Sequence, residues 1–275
     1  MMQIDAHQHF WTPSRGDYGW MNDNPAVDAI RRVILPRDLE PILQKLGIAR
    51  TVLVQAAESY EETEYMLGLA DATDWIAKVV GWVDFENLKD REKVKRLAAH
   101  QKFAGLRPMI QEIPDVDWML KAEISWAFEA ILEHDLSFDA LGFPRHLDNF
   151  LTLFKRYPTM RVVVDHGMKP QIRDNAFSEW APGMEKIASQ TSALCKVSGL
   201  ATEANAAWTA ETLKPYVDHL LDCFGPERLM WGSDWPVLEL AGTYEGWHSI
   251  ARELLPNEHH AAIFGGNAAE FYRIY

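Results

Sequence analysis

The segment Ile4-Asp5-Ala6-His7-Gln8-His9-Phe10-Trp11 sets two imidazoles one residue apart in a run that reads as a short strand. Side chains of a strand alternate between faces, so His7 and His9 point one way while Ala6 and Gln8 point the other. Two imidazoles about 6–7 Å apart on one face can share a metal ion or meet two substrate oxygens. The competing use of any His-x-His is a hydrogen-bonded pair at a strand end. Far along the chain lie Val164-Asp165-His166 and Trp231-Gly232-Ser233-Asp234-Trp235-Pro236. Pro236 prevents a strand from continuing, which leaves the Asp234 carboxylate at a strand end, where its rival role is to cap a following helix. His166 likewise either joins His7 and His9 or simply closes its strand. Nitrogen and oxygen donors of this kind suit zinc or manganese, with one position open for water.

These residues need a scaffold that brings distant strand ends together. Eight apolar or β-branched runs recur, at Gln3–His9, Thr51–Gln55, Val79–Asp84, Phe103–Arg107, Leu136–Ala140, Arg161–His166, Ala193–Gly199 and Leu229–Asp234. Between them, Pro36–Gly47, Tyr60–Thr73, Asn87–His100, Trp118–His134, His146–Tyr157, Phe177–Gln190 and Asn205–Phe224 carry helical periodicity and helix punctuation. Strand starts fall about 25–50 residues apart, the spacing of βα units, and no linker interrupts them. The pattern predicts an α/β fold, a single (β/α)8 TIM barrel over residues 1–275. An open doubly wound sheet is the alternative, but no glycine-rich phosphate loop follows the first run. The polar stretch Thr12–Leu35 reads as a long first loop able to cover the mouth.

Active sites of such barrels sit at the C-terminal ends of the strands. The run ends supply His7, His9, Gln55, Trp82, Asp84, Arg107, Asp139, His166, Ser198 and Asp234. Polar and ionisable groups gathered on one rim, above apolar residues of the same strands, mark a site. Arg107 there can hold a carboxylate or polarise a carbonyl oxygen, or else form an ion pair with Asp84 or Asp139. His146, after Pro144-Arg145, either reaches into the mouth or sits on the surface. His100, His134, His219, His248, His259 and His260 read as surface or core residues.

Composition narrows the function classes. A net charge of −13, with basic residues scattered among acidic ones, argues against binding nucleic acid. No apolar run approaches twenty residues and the first ten residues already include charged and polar groups, so the expectation is a soluble, cytoplasmic chain with no membrane partner. Two cysteines, Cys195 and Cys223, make neither a disulfide framework nor a thiolate metal site and read as small hydrophobes. Several of the eleven tryptophans flank the polar runs, where rings suit a sugar-like ligand as well as core packing.

Through these blocks, with Thr51-Val52-Leu53-Val54-Gln55-Ala56, Gly105-Leu106-Arg107, Pro144-Arg145-His146-Leu147, Lys169-Pro170 and Asn267-Ala268-Ala269-Glu270-Phe271-Tyr272, the chain resembles the amidohydrolase superfamily. The closest likeness is to its lactonase group of predicted metal-dependent TIM-barrel hydrolases, over the whole length. The resemblance implies Asp234 as general base, and His7, His9 and His166 as metal-ligating or carbonyl-facing histidines. It implies Arg107 and His146 as substrate-holding groups. Two-metal members carry a bridging lysine where this chain has Arg107, and Asp139 stands nearest the missing fifth-strand histidine. The implied cofactor is therefore one divalent ion, zinc or manganese, weakly held or dispensable. The implied reaction is hydrolysis of a small sugar-acid lactone, the carbonyl polarised by the ion or by His166, His146 and Arg107, with Trp11, Trp82 and Gln55 bracketing the hydroxylated ring. A lactone isomerase, a decarboxylase of the superfamily and a sugar-acid-binding barrel without turnover are the alternatives.

Overall fold

A computed structural model describes residues 2–275. Eight parallel strands form one sheet in chain order, β1 (Gln3–Gln8), β2 (Ile48–Val54), β3 (Ile76–Gly81), β4 (Phe103–Leu106), β5 (Ser137–Ala140), β6 (Arg161–Val164), β7 (Leu194–Val197) and β8 (Leu229–Trp231). The barrel closes just beyond β8. There the Asp234 amide donates to the His7 carbonyl at 2.8 Å and the His9 amide to the Trp235 carbonyl at 2.7 Å. The closure therefore places the first and last catalytic candidates side by side through backbone bonds alone.

The helices between the strands are α1 (Pro36–Leu46), α2 (Tyr60–Asp71), α3 (Arg91–Ala98), α4 (Ser125–Glu133), α5 (Leu147–Arg156), α6 (Phe177–Gln190), the short α7 (Leu200–Glu203) and α8 (Ala210–Phe224). Two more, α9 (Tyr244–Leu254) and α10 (Asn267–Tyr272), complete the ring and follow the last expected helix. Local sequence sets their ends. Pro36 occupies the first turn of α1, Asp38 accepts from the Leu35 amide, and Gly47 supplies the left-handed residue that releases the chain into β2. The segment Thr12–Leu35 is built of 3-10 turns and is tied down by Trp11–Ile34 backbone pairing.

One apolar layer fills the space between strands and helices, and a second fills the barrel with Ile4, Ala6, Val52, Val54, Val80, Val163 and Met230. Phe271 and Tyr272 of α10 belong to this inner cluster. The strict alternation expected along β1 fails at one point. Ala6 packs in the inner cluster, yet the next residue, His7, also meets a lumen side chain, Lys196 of β7. The strand pairing shifts register between Asp5 and Gln8, and an irregularity of this kind lets successive side chains face the same way. Among the described residues, no helix is long and apolar enough to cross a membrane.

Candidate active site

Above the apolar filling, the lumen becomes polar and every group is buried. Nε2 of His7 lies 3.2 Å from Nε2 of His9, which lies 3.2 Å from Oδ1 of Asp234. The same Asp234 oxygen is 3.8 Å from Nε2 of His7 and 3.8 Å from Nε2 of His166. The structure thus brings together His7, His9, His166 and Asp234 from the ends of β1, β6 and β8. His166 and Asp234 both hold left-handed backbone, at φ 54° and 58°. That region costs about 1–3 kcal/mol for residues with a Cβ and persists where the surroundings over-determine it. Gly199 shows the tightness: its φ is 63°, and a Cβ there would come within 2.7 Å of the His166 ring. The Asp234 side chain caps no helix, since the following turn, Val237–Leu240, has no side-chain cap.

Each histidine is oriented from behind. Nδ1 of His9 lies 2.7 Å from the Val54 carbonyl, which can only accept, so that nitrogen carries the proton and the Nε2 lone pair faces the site. Nδ1 of His166 meets the Ser198 hydroxyl at 2.8 Å. Burial, above all, lowers the His166 imidazole to about 4, against the pull of Asp234 and Asp165. His7 is pushed well below the ordinary histidine range by burial and by the Lys196 charge. Burial by itself raises the Asp234 carboxyl, but the imidazoles of His166, His9 and His7 packed around it outweigh it, and the net shift is downward. At neutral pH the His7 and His166 imidazoles are neutral beside an ionised Asp234 carboxylate.

Arg107 lies across the lumen, with Nη1 3.4 Å from His7 Nε2 and 3.4 Å from Asp165 Oδ2. Its ion-pair partner is Asp165, and neither Asp84 nor Asp139. Gln55 fixes it: the Gln55 amide donates to the Arg107 carbonyl at 2.6 Å and the guanidinium donates to the Gln55 carbonyl. Gln55 is fully buried beneath Arg107 and does not line the cavity, contrary to the ring-bracketing place expected for it.

The mouth opens into a cavity of about 400 Å³ lined by His9, Arg107, His166 and Asp234 below, with Trp11, Trp20, Asn24 and Lys169 among its walls. Trp11, expected to bracket the substrate ring, stands in the wall of this cavity. Trp82 does not, because it lines a separate cleft with Asp84, Glu86 and Trp118. Its backbone is held by Thr63 of α2, whose hydroxyl accepts from the Trp82 amide at 2.8 Å. His146 is buried but also absent from the cavity wall. Its Nδ1 accepts from the Phe143 amide at 3.0 Å, which folds the ring back over its own turn, and its Nε2 has no partner among the described residues.

Sequence reasoning passed over several groups. Lys196 of β7 is completely buried, 2.7 Å from Asp139 and 2.9 Å from Asp165. A lone charge in Leu194-Cys195-Lys196-Val197 was the available signal, because lysine is almost never fully buried unless paired. Asp5 accepts from the Ser233 amide at 2.8 Å, the Ser233 hydroxyl at 2.6 Å and Tyr244 at 2.8 Å, which locks the turn carrying Asp234. Glu62 of α2 receives the Ala56 and Ala57 amides, each at 3.0 Å, and shapes the loop after Gln55. Trp20 comes from the covering segment, its indole donating to the Ala56 carbonyl at 2.7 Å.

One ligand atom from each of His7, His9 and Asp234 falls within 4.8 Å of the others, and His7, Asp165 and His166 form a second such group. The first set fits a single divalent ion by donor type and by the free Nε2 of His9. Arg107 stands just past β4, where the resemblance to two-metal members would place a bridging lysine.

The amidohydrolase family model matches residues 4–274. The chain is 42% identical over 279 residues to an L-fucono-1,5-lactonase of Burkholderia ambifaria, covering 99% of this chain and 96% of that protein. It is 32% identical to an L-fucono-1,5-lactonase of Burkholderia multivorans, over 99% and 96% of the two chains. A solved amidohydrolase from Burkholderia multivorans, crystallised with HEPES and separately with zinc, superposes with a TM-score of 0.94 at 31% identity over the full length of both chains. The match along nearly every residue, with the histidines and Asp234 gathered at one barrel mouth, makes this chain a member of the amidohydrolase family.

Proposed function

We propose that the chain hydrolyses a sugar-acid lactone of the L-fucono-1,5-lactone type to the open acid. The likeness to the two lactonases over 99% of the chain supports the substrate class. The observation that carries the mechanism is an ionised Asp234 facing the imidazoles of His7, His9 and His166 beside a guanidinium.

The lactone carbonyl oxygen points at Arg107 and His166, where donors stabilise the negative charge that builds as water attacks. Asp234 takes the water proton as the water oxygen bonds to the carbonyl carbon. When the tetrahedral intermediate collapses, the ring C–O bond breaks and the proton on Asp234 passes to the departing ring oxygen, giving a hydroxy acid and restoring the carboxylate. No covalent enzyme intermediate is needed. A divalent ion held by His7, His9 and Asp234 supplies additional positive charge to the carbonyl when bound. Trp11 and Trp20 offer aromatic faces to the C–H face of the sugar ring. Gln55 positions Arg107, and His146 and Trp82 are assigned no step.

On this reading residues 1–275 are one amidohydrolase-type domain working in the cytoplasm on a free small molecule, without nucleic acid or membrane. The test is acid release, followed with a pH indicator, from a panel of 1,4- and 1,5-sugar lactones, with product analysis to separate hydrolysis from ring isomerisation. Turnover of L-fucono-1,5-lactone or a stereochemical neighbour to the open acid is expected. Absence of acid release across the panel refutes the proposal.

A further inference from the structure

His7 has a donor or acceptor at both ring nitrogens, and two proton arrangements compete for it. In the first, the Lys196 ammonium donates to Nδ1 at 3.2 Å and Nε2–H donates to the bare Nε2 of His9, also at 3.2 Å. In the second, Nδ1–H donates to Asp165 at 3.5 Å and Nε2 accepts from Arg107 at 3.4 Å. The shorter contact on each side belongs to the first arrangement. In it Lys196 donates to Asp139 at 2.7 Å and to His7, with Asp165 at an ion-pair distance of 2.9 Å. The Val54 carbonyl independently keeps the His9 Nε2 lone pair free to accept.

We infer that Lys196 is a positioning residue that fixes His7 with its proton on Nε2, aimed into the site as a hydrogen-bond donor, and thereby sets this centre against tight metal binding. A divalent ion at His7 needs the Nε2 lone pair, so it must drive the proton round to Nδ1 and expel the Lys196 hydrogen bond. Charge acts in the same sense. Lys196 and Arg107 stand against Asp139, Asp165 and Asp234 in the buried cluster, which leaves one net negative charge to receive a doubly charged ion. With Lys196 neutralised, two negative charges would remain. The donor form of His7 also gives the hydrolytic reading a third group for the lactone carbonyl. In that respect the inference deepens the proposed function, but the tautomer and the zinc affinity are measured without turnover.

The experiment is two-bond 1H–15N correlation spectroscopy on protein carrying 15N-labelled histidine, at neutral pH, with His7 assigned by the signal lost in His7→Asn. Wild-type His7 is expected to show a protonated Nε2 and to convert to protonated Nδ1 as zinc is titrated in. The double variant Lys196→Met/Asp139→Asn removes one buried cation together with one buried carboxylate and so leaves the net charge of the cluster unchanged. It should show Nδ1–H without zinc and bind zinc at least about tenfold more tightly by equilibrium dialysis. An Nδ1–H or doubly protonated His7 in the wild-type protein overturns the assignment whether or not the double variant folds. Unchanged tautomer or zinc affinity in a folded double variant removes Lys196 from the role. Failure of any lactone to react would strike the proposed function and leave these measurements standing.

Discussion

Replacing Asp234 by Asn separates chemistry from architecture unusually well at this position. The backbone duties of residue 234 are its amide bond to the His7 carbonyl, the Leu238 amide bond to its own carbonyl and a φ of 58°. Asn keeps all three, since Asn and Asp are the residues with a Cβ that best tolerate left-handed backbone. The side chain touches His9 at 3.2 Å, and an amide of the same shape retains a polar contact there. What disappears is the one carboxylate that, among the described residues, faces His7, His9 and His166 together, and with it the acceptor for the water proton. General-base assistance contributes about 10²–10⁴ in rate, or about 2.7–5.5 kcal/mol of barrier. Because the carboxylate is buried and held ionised by its neighbours, its loss should also cost stability in urea, which is why unfolding is measured beside turnover. The assay is steady-state hydrolysis of the best lactone, beside urea denaturation and zinc binding of the same preparation. A fall of at least about 10² in kcat, in a protein that still unfolds in one cooperative transition, is expected. Turnover near that of the unaltered protein refutes the general-base assignment and passes the role to His166.

The metal reading predicts at most one tightly held divalent equivalent per chain by elemental analysis, because Arg107 occupies the bridging position; two equivalents would refute it. Full activity after exhaustive chelation would show that the chain's own donors suffice for carbonyl polarisation. His166 resists protonation down to about 4 in the folded protein, whereas an unfolded histidine protonates near its ordinary 6.5. The unfolded state therefore binds more protons between those values, and stability is lost as pH falls through that window, by about 3 kcal/mol from this residue. Denaturation midpoints of the unaltered protein and His166→Asn, compared at pH 7 and pH 4.5, should converge towards acid; parallel lines refute the argument. Gln55→Leu strands the Arg107 carbonyl, costing about 1–3 kcal/mol of stability, and should lower kcat/KM through a displaced guanidinium. Trp82→Phe, in the neighbouring cleft, should leave KM for the lactone unchanged, and a large rise in KM would return Trp82 to the site.

The sequence carried the barrel because its signals were local: β-branched runs at βα spacing, Pro36 and Gly47 bounding α1, and Pro236 ending the last strand. Polar residues at run ends then followed from the barrel rule, which is why His7, His9, His166, Arg107 and Asp234 could be placed on one rim without coordinates. What stayed hidden depended on which way a side chain turns after its strand ends. Gln55 and Trp82 each directly follow a strand, yet the Gln55 side chain turns beneath Arg107, to whose carbonyl it donates, while Trp82, its backbone amide held by Thr63, lines a second cleft. The register shift in β1 is of the same kind, since no residue in Asp5-Ala6-His7-Gln8 announces a break in alternation. Lys196 is the deeper case. A lysine in mid-strand reads as an edge or an exposed face until Asp139 and Asp165, from two other strands, are known to meet it. Burying that cation is tolerable only with both carboxylates in place, because an unpaired buried charge costs several kcal/mol. Its partners come from runs 31 and 57 residues away. The physical condition that permits Lys196 therefore exists only once the barrel has closed, and the same closure delivers its charge to His7.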